Sequence, residues 1–417
     1  MKTIPVALPL LGQAEADAAS RTILSGWVTQ GPRVAEFEAD FARYTGAAHA
    51  CAVANCTVAL HYALLAVGVR PGDTVITVSH SFIATANAVR ACGAEPVFAD
   101  IDPATLNMDP DELARILAED YAPGPDGLYY RDVARLARGE SPLVHFCGES
   151  GRAGRLGAVL AVHQVGVPAD MGRILPLCRA AGVPVVEDAA CAIGSEVRLG
   201  ETFERIGRPH GDVACFSFHP RKVITTGDGG MITTNDPGHD RRFRLLRQHG
   251  MSVSDAARHA AGGLVFEDYL ITGHNGRMTD IQAAVGIEQL KRLPGIVARR
   301  RDIAEAYAAA LGDVPGLTLP AEPPYARVNQ QSYVVRLDDP ARQEPVMRAL
   351  KDQGVATRRG IMCAHLEPPY IDAWRGHGLE KSRLARDTGV ILPLYPTMDA
   401  ADVDRVAASL RRAMEAA

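Results

Sequence analysis

A lysine in a short link between two apolar segments is the residue of this chain best placed to do covalent chemistry. Lys222 ends the run Phe216-Ser217-Phe218-His219-Pro220-Arg221-Lys222, and a glycine-rich turn from Thr225 to Gly230 follows it. Most lysines lie on the surface, and a surface lysine remains an open interpretation. Only the neutral amine forms a Schiff base, and desolvation or cationic neighbours lower the pKa of an amine. Because Arg221 and His219 lie beside it in the sequence, we expect Lys222 to be reactive.

A carboxylate at the end of an apolar run is a second feature of this kind. Val185-Val186-Glu187-Asp188 is typical of a buried parallel strand, and ligands of open α/β sheets bind at the carboxyl ends of the strands. At that edge Asp188 could keep a pyridine nitrogen protonated, which would turn the ring into an electron sink. A helix N-cap or a ribose-binding acid is an alternative role for Asp188.

Two further segments offer a phosphate site and a flat apolar surface. Asn55-Cys56-Thr57 opens a predicted helix whose free backbone N–H groups could bind phosphate, although plain N-capping would explain the same residues. Phe82, in Ser79-His80-Ser81-Phe82 after a predicted strand, could stack on a planar ring or belong to the core. An amine, a carboxylate, a phosphate site and an aromatic side chain together suit one cofactor, pyridoxal 5'-phosphate.

Alternating strand and helix patterns separate these residues. Thr74–Val78 and Pro96–Asp100 are predicted strands, whereas Val58–Val67 and Ile83–Cys92 have the apolar pattern of helices. This alternation predicts an α/β domain with a mostly parallel sheet that is covered on both faces. Further strands and helices are predicted at Ala158–Val162, Arg173–Ala181, Val183–Asp188, Asp212–Phe218, Met231–Thr234, Ser332–Leu337, Glu344–Gln353 and Ala401–Met414.

A long amphipathic helix predicted at Leu293–Leu311 separates two domains. We expect an N-terminal arm and a large domain at 1–292, the connecting helix at 293–311 and a small C-terminal domain at 312–417. The segment 119–157 is rich in glycine and proline and has no clear periodicity, so it is predicted to be an atypical insertion.

Composition and charge exclude several classes of protein. The 417 residues are 47% hydrophobic and 22% charged, and the net charge of −5 gives no reason to expect a nucleic-acid partner. No apolar run approaches the ~20 residues that cross a bilayer. Met1–Leu11 lacks a signal-peptide cleavage site, so we expect a cytoplasmic protein whose eight cysteines are reduced. His145-Phe146-Cys147 lacks the second pair of ligands that a zinc site needs, so no metal is expected.

The motifs follow one another in a specific order: Gly26–Pro32, Asn55–Thr57, Phe82, Glu187–Ala190, Ser217–Lys222, Gly273–Met278 and Leu392–Pro396. In this order the chain resembles the DegT–StrS family of nucleotide-sugar and aminocyclitol aminotransferases, which are fold type I enzymes that depend on pyridoxal phosphate. The resemblance covers nearly the whole chain apart from 119–157. Its most specific part is the segment Ser217–Lys222 with its glycine-rich tail.

The resemblance implies a fold and a role for each matching residue. The fold would be a large domain with a mostly parallel seven-stranded sheet sandwiched by helices, plus a smaller C-terminal α/β domain. Lys222 would hold the cofactor as a Schiff base and move a proton between the substrate carbon and C4', with Asp188 paired to the pyridine nitrogen and His219 beside it. Phe82 would stack on the ring. Further cofactor contacts would come from Asn55, the backbone of Cys56, Thr57, Cys191, Ser217 and, across a homodimer with shared active sites, Asn275 of the neighbouring subunit.

The resemblance also implies a reaction in two halves. Glutamate or glutamine would convert the cofactor to pyridoxamine 5'-phosphate. That form would then aminate a keto or aldehyde group of a sugar, nucleotide-linked, or of a related ring, in secondary-metabolite or glycan biosynthesis. An aminocyclitol or a nucleoside-type carbonyl compound is an alternative acceptor. Candidate substrate contacts are Gln30, His80, Arg358, Arg359 and His365, although the basic residues among them could equally solvate the small domain.

The chain departs from the family pattern at several positions. Glycine is commoner at Cys56, glutamine or histidine is commoner at Cys191, and an aromatic or aliphatic residue is commoner at His80. His80 and the long segment 119–157 lie where a substrate could bind.

Three other classes of protein are weighed against this one. A deoxysugar dehydratase has histidine in place of the lysine, so Lys222 argues against it. A nicotinamide-dependent oxidoreductase would need a Gly-x-Gly-x-x-Gly turn after the first strand, which this chain lacks. A regulatory homologue without catalysis would not need competent residues at every catalytic position, and this chain has them.

Overall fold

The structure is a computed structural model that describes residues 3–146, 153–253, 258, 264 and 266–416. Its helices are α1 Gln13–Leu24, α2 Pro32–Thr45, α3 Cys56–Ala66, α4 Ala84–Ala91, α5 Pro110–Glu119, α6 Val133–Leu136, α7 Met171–Ala181, α8 Pro237–Leu246, α9 Asp280–Leu311, α10 Gln343–Asp352, α11 Pro368–Trp374, α12 Glu380–Thr388 and α13 Ala400–Ala416. Its strands are β1 His49–Val53, β2 Thr74–Val78, β3 Glu95–Ala99, β4 Tyr121–Gly124, β5 Gly127–Tyr130, β6 Leu156–Val162, β7 Val185–Asp188, β8 Glu196–Leu199, β9 Thr202–Arg205, β10 Val213–Ser217, β11 Gly230–Thr234, β12 Leu317–Thr318, β13 Ala326–Arg327, β14 Tyr333–Leu337, β15 Arg358–Arg359 and β16 Gly389–Leu392. Short 3₁₀ segments lie at Pro142–His145, Gln164–Gly166, Pro340–Arg342 and Ala364–Leu366.

A seven-stranded sheet in the order β1-β11-β10-β7-β6-β2-β3 forms the centre of the large domain. Its strands are parallel except for β11, which is antiparallel to both β1 and β10. The residues of β2, β3, β6, β7 and β10 are all buried, because helices cover both faces of the sheet. The predicted α/β fold with a mostly parallel sheet is therefore confirmed.

A four-stranded antiparallel sheet, β12-β14-β16-β15, forms the small domain. Its core includes Tyr307 near the end of α9, Val346 and Leu350 in α10, and Val406 and Leu410 in α13. The predicted smaller α/β domain is present, with the strand and the two helices expected for it close to their predicted bounds.

Helix α9 begins much earlier than the sequence pattern indicated. It runs from Asp280 to Leu311 without a break, although Pro294 lies inside it and removes one backbone donor. Thr279 and Gln282 form a capping box at its start. The prediction of a start at Leu293 was wrong because Pro294 resembled a helix beginning. Within the described residues, no helix combines the length and the apolarity that a membrane span requires.

The start of α9 also anchors the N-terminal region. The Oδ1 atom of Asp280 accepts hydrogen bonds from the backbone N–H groups of Gly31 (2.8 Å) and Val34 (2.9 Å), at the start of α2. Oδ2 accepts one from Arg33 N at 3.1 Å. Asp280 is 1% exposed, so a buried carboxylate accepts hydrogen bonds from the free backbone N–H groups at the start of α2, which is distant in sequence.

The described part of the segment 119–157 contains a β-hairpin, β4–β5, that lies at the amino ends of the central strands. The Tyr121 hydroxyl hydrogen-bonds to Thr74 Oγ1 at 2.9 Å, and Thr74 is the first residue of β2. Arg155, just before β6, donates to Asp73 Oδ1 at 3.0 Å. The expectation that this segment lies where a substrate could bind is wrong for the hairpin, because ligands of such sheets bind at the opposite edge.

Candidate active site

Two neighbouring parallel strands end at residues predicted to bind a cofactor. β7 ends at Asp188 and β10 ends at Ser217, and Asp188 lies opposite Cys215 in the ladder. The chain then passes through Lys222 and returns as β11. The fold therefore places Lys222, Asp188 and Ser217 at one carboxyl edge of the sheet.

The side chain of Lys222 points towards the segment that follows β7. Its Nζ atom donates a hydrogen bond to Cys191 Sγ at 3.1 Å. Burial lowers the pKa of Lys222, but the neighbouring Cys191, Cys56 and Asp188 raise it, and the pKa lies above its ordinary value. The amine is therefore protonated near pH 7, and its neighbours are two thiols and a carboxylate.

The expected cationic neighbours of Lys222 do not act as predicted. The side chain of Arg221 is exposed, and Nδ1 of His219 accepts a hydrogen bond from Arg221 N at 3.2 Å. The carbonyl of His219 accepts one from Lys222 N at 2.8 Å. The prediction of a lowered pKa was wrong because the effects of Cys191, Cys56 and Asp188 on the amine outweigh that of burial. His219 shapes the turn, and its catalytic role stays a prediction.

The start of α3 keeps backbone donors available. Oδ1 of Asn55 accepts a hydrogen bond from Val58 N at 3.0 Å, so Asn55 is an N-cap. Cys56 and Thr57 occupy the first turn, where N–H groups have no intrahelical carbonyl partner. Thr57 is exposed, whereas the sulfur-bearing side chain of Cys56 is buried. N-capping and phosphate binding are thus compatible at this helix.

Gly230 brings this helix start close to Ser217. It pairs with Val53 on one side and with Ser217 on the other. A Cβ atom at position 230 would lie 2.5 Å from the carbonyl carbon of Asn55 and 2.9 Å from Cys56 N, distances that real Cβ atoms do not adopt. Glycine is therefore required here, and it leaves a bare backbone cradle between the Ser217 hydroxyl and the amides of α3.

The carboxylate of Asp188 is held by two donors. Oδ2 accepts a hydrogen bond from Thr85 Oγ1 at 2.8 Å, and Oδ1 accepts a longer one from Ala190 N at 3.2 Å. The side chain is 5% exposed. Each carboxylate oxygen can accept a further hydrogen bond, so Asp188 can receive the N–H of a protonated ring nitrogen.

Phe82 lies at the mouth of this edge and is 63% exposed, so the alternative of a core phenylalanine is wrong. Its carbonyl accepts a hydrogen bond from Thr85 N at 3.1 Å, so the residue that presents the ring and the residue that holds Asp188 share one turn. Thr85 and Ser81 were not among the predicted site residues. The signal that could have identified them is the spacing of two hydroxyl residues, i and i+4, at a predicted helix start.

The predicted intersubunit residue Asn275 is exposed and lies near α3 of its own chain. Ala54 N donates to the Gly276 carbonyl at 2.8 Å, which places the 275–276 backbone beside the segment that precedes the helix. Contact between Asn275 and the phosphate of a second subunit stays a prediction.

Two predicted substrate residues are buried between the domains. Nδ1 of His365 hydrogen-bonds to Ser79 Oγ at 2.6 Å, and the backbone of His80 pairs with Cys363. Burial lowers the pKa of both His80 and His365 to about 4, so both rings are neutral near pH 7. They tie the large domain to the small one, and any contact with a substrate would require their surroundings to open.

The other predicted substrate residues lie elsewhere. Gln30 lies beside the start of α9, where its carbonyl accepts a hydrogen bond from Trp27 Nε1 at 3.3 Å. Arg358 is exposed in β15, and the neighbouring Arg359 pairs with Asp387 at 2.9 Å. Their roles stay predictions. His145 is exposed, and Cys147, the other half of the weak metal pair, lies outside the described residues.

The residues at this edge fit pyridoxal phosphate. The amine of Lys222 suits the carbonyl of that molecule, and the acceptor oxygens of Asp188 suit its ring nitrogen. The cradle at Gly230 suits its phosphate. Helix starts bind phosphate through free N–H groups and the helix dipole. The exposed ring of Phe82 provides a flat apolar surface beside them.

Comparison with known proteins gives a consistent result. The model of the DegT/DnrJ/EryC1/StrS aminotransferase family matches residues 9–122 and 150–411, and the unmatched stretch lies inside the predicted insertion. The spore coat polysaccharide biosynthesis protein SpsC of Bacillus subtilis (strain 168) is 34% identical over 98% of this chain and 96% of its own. The aminotransferase TlmJ from Streptoalloteichus hindustanus has 35% identity and a TM-score of 0.82, with 99% of both chains covered. DesV of S. venezuelae has 28% identity and a TM-score of 0.82, with 100% of this chain and 99% of that one covered. The chain therefore belongs to the DegT/DnrJ/EryC1/StrS family of aminotransferases, which are pyridoxal-phosphate-dependent transaminases.

Proposed function

We propose that this enzyme moves an amino group from glutamate or glutamine to a keto or aldehyde group of a nucleotide-linked sugar. The observation that carries the proposal is the convergence of Lys222, Asp188 and the Gly230 cradle at one sheet edge. When bound there, pyridoxal phosphate supplies an electron sink and carries the amino group between donor and acceptor.

The protein residues would divide the work of binding and proton transfer. The amides of Cys56 and Thr57 and the Ser217 hydroxyl would bind the phosphate group. The carboxylate of Asp188 would hold the proton on the ring nitrogen, because an ionised oxygen next to that nitrogen favours its charged form. Phe82 would cover one face of the ring.

Lys222 would both hold the cofactor covalently and move protons. An ammonium group cannot attack a carbonyl carbon, so Lys222 must first lose a proton. That proton would leave to water as the cofactor enters, and the hydrogen bond from Nζ to Cys191 Sγ at 3.1 Å would hold the amine in place. Once released from the cofactor, the amine of Lys222 would move a proton between the substrate carbon and C4'.

One relative supports a sugar as the acceptor. SpsC is named for the biosynthesis of spore coat polysaccharide, and its similarity to this chain extends over both domains. The acceptor would enter from the exposed side of Phe82, because the opposite edge of the sheet carries the hairpin β4–β5.

We also propose that the enzyme acts as a homodimer with shared active sites. Three large apolar residues that precede Asn275 in the chain, Leu264, Phe266 and Tyr269, are 92%, 86% and 64% exposed. Exposed large apolar residues this close in sequence favour a protein interface at this segment. Sedimentation equilibrium of the purified enzyme should give twice the mass of the chain, and a monomer at assay concentration would contradict this proposal.

The central experiment uses Lys222→Ala with Arg221→Ala as its matched control. Borohydride treatment of the wild-type enzyme with pyridoxal phosphate should fix the cofactor on the peptide that contains Lys222, as mass spectrometry would detect. Lys222→Ala should give no trapped peptide and no transamination, whereas Arg221→Ala, which removes an exposed neighbouring cation, should retain both. Full transamination by Lys222→Ala would refute the proposal.

The acceptor is identified by a second measurement on the wild-type enzyme. After glutamate or glutamine has loaded the cofactor with an amino group, keto-sugars with and without a nucleotide, keto-cyclitols and nucleoside carbonyl compounds are added separately. We expect nucleotide-linked keto-sugars to restore the original absorbance fastest. Faster recovery with a cyclitol or a nucleoside compound would replace the sugar with that acceptor.

A further inference from the structure

A chain of two hydroxyl groups leads to the carboxylate of Asp188. Thr85 Oγ1 donates to Asp188 Oδ2 at 2.8 Å, and Ser81 Oγ lies 2.8 Å from Thr85 Oγ1. The three side chains are 5%, 2% and 4% exposed for Asp188, Thr85 and Ser81 respectively. The chain is therefore almost wholly excluded from water.

The direction of the hydrogen bonds follows from the number of protons available. An ionised carboxylate can only accept, so the single hydroxyl proton of Thr85 is directed to Asp188. The oxygen of Thr85 is then free to accept, and the proton between the two hydroxyl groups must come from Ser81. The order Ser81 to Thr85 to Asp188 is thus fixed, and each bond polarises the next one.

The backbone explains why these residues meet. Ser81 precedes α4 and Thr85 lies in its first turn, so the side chains are four positions apart and share one side of the helix start. Thr85 N also bonds to the carbonyl of Phe82. One turn therefore fixes both the aromatic ring and the carboxylate that are proposed to contact the cofactor ring.

We propose that Thr85, supported by Ser81, is a positioning residue that sets the strength with which Asp188 holds a proton on the ring nitrogen. This inference rests on the proposed function. The hydroxyl of Thr85 fixes the rotation of the carboxylate, which leaves the remaining acceptor sites directed at the ligand. Thr85 itself need not touch the cofactor.

The test compares Thr85→Val, which keeps the shape and removes the hydroxyl, with Thr85→Ser, which keeps the hydroxyl. The enzymes are loaded with pyridoxal phosphate labelled with ¹⁵N in the ring, and the ¹⁵N chemical shift is measured together with the rate of the glutamate half-reaction. We expect Thr85→Val to move the shift towards that of an unprotonated ring nitrogen. Its rate should fall about tenfold to a hundredfold, the range for losing a hydrogen bond to a charged group. Thr85→Ser should restore the ¹⁵N shift of the wild type, and its half-reaction rate should be within about threefold of the wild-type rate.

A purely structural role would give a different pattern. It would lower the unfolding temperature of Thr85→Val and leave the ¹⁵N shift and the half-reaction rate of the folded enzyme unchanged, and that result overturns the inference. If Thr85→Val does not fold, Ser81→Ala keeps the Thr85 hydroxyl and should move the shift in the same direction by a smaller amount; an unchanged shift there also overturns it. A wild-type enzyme that binds no pyridoxal phosphate would overturn the proposed function as well, so the two failures can be told apart.

Discussion

The last two residues of β7 are both buried carboxylates, but they lie on opposite faces of the sheet and are treated differently by the protein. Glu187 is 0% exposed and accepts hydrogen bonds from His210 N and Gly211 N, both at 2.7 Å, and from His163 Nε2 at 3.0 Å. Burial raises the pKa of Glu187, but the hydrogen bonds from His163 and His210 lower it. The pKa of Glu187 therefore lies well below its ordinary value. All the donors of this carboxylate belong to the protein.

Asp188 has fewer partners than its neighbour. It receives one hydroxyl proton from Thr85 and one long hydrogen bond from Ala190 N. A carboxylate has about four acceptor positions, so hydrogen bonds from the protein occupy about half of those of Asp188. The comparison teaches that burial does not separate a structural acid from a functional one, whereas the number of acceptor positions left for a ligand does.

The largest expected effect comes from Asp188→Asn. The amide cannot hold a proton on a pyridine nitrogen, so kcat should fall about 100-fold to 1000-fold, the range for removing one preorganised electrostatic group. The free energy of unfolding of the cofactor-free protein should change by less than about 1 kcal/mol. Steady-state kinetics and urea unfolding on the same preparation measure both quantities. If Asp188→Asn unfolded the protein and Glu187→Gln did not, the comparison would be reversed.

Glu187→Gln should show the opposite pattern. Removing the charge leaves buried histidine and amide donors without their ionised acceptor, so the free energy of unfolding should fall by about 3 kcal/mol. Turnover per folded molecule should fall far less than in Asp188→Asn. Urea unfolding gives the first value, and activity scaled to the folded fraction gives the second. A stability equal to that of the wild type would show that Glu187 is not the structural member of the pair.

The smallest expected effect concerns pH. It is the change with pH of the difference in unfolding free energy between the wild type and Glu187→Gln. Glu187 has a lowered pKa, so its contribution is complete above its unfolded value of 4.5 and is lost as the pH falls below it. Burial lowers the pKa of His210, but Glu187 and Glu204 raise it above 6.5, so its contribution is complete below 6.5 and is lost as the pH rises.

The difference in unfolding free energy between wild type and Glu187→Gln should therefore be largest between about pH 4.5 and 6.5. Urea unfolding of the two proteins across the pH range measures it. A difference that stays constant from pH 4 to pH 8 would mean that Glu187 is not coupled to these histidines.

Local sequence patterns predicted most of the large domain. Buried parallel strands such as Leu156–Val162 are continuous apolar runs, and turns with glycine separate them from helices, so composition alone indicates both. The start of α9 was missed because a proline inside a helix looks like a helix start in the sequence, and only the packing against α1 and α2 shows that the helix continues through it.

The candidate site was predicted in its members but not in its electrostatics. Lys222, Asp188 and Ser217 follow strands whose order along the chain is visible in the sequence. The partner of Lys222 is Cys191, which is 31 residues away, and no local pattern indicates that a thiol rather than Arg221 lies next to the amine. Thr85 was missed for the same reason, because its acceptor Asp188 is 103 residues away.

The contact between Asp280 and the start of α2 has a consequence for the newly made chain on the ribosome. Asp280 and Gly31 are 249 residues apart, and ribosomes add about 5 to 20 residues per second. The amides of Gly31 and Val34 therefore wait roughly 10 to 50 seconds for the acceptor that they have in the finished protein. During that interval α1 and α2 have been synthesised without α9, the helix against which they pack, so their final packing waits for a segment that is made much later.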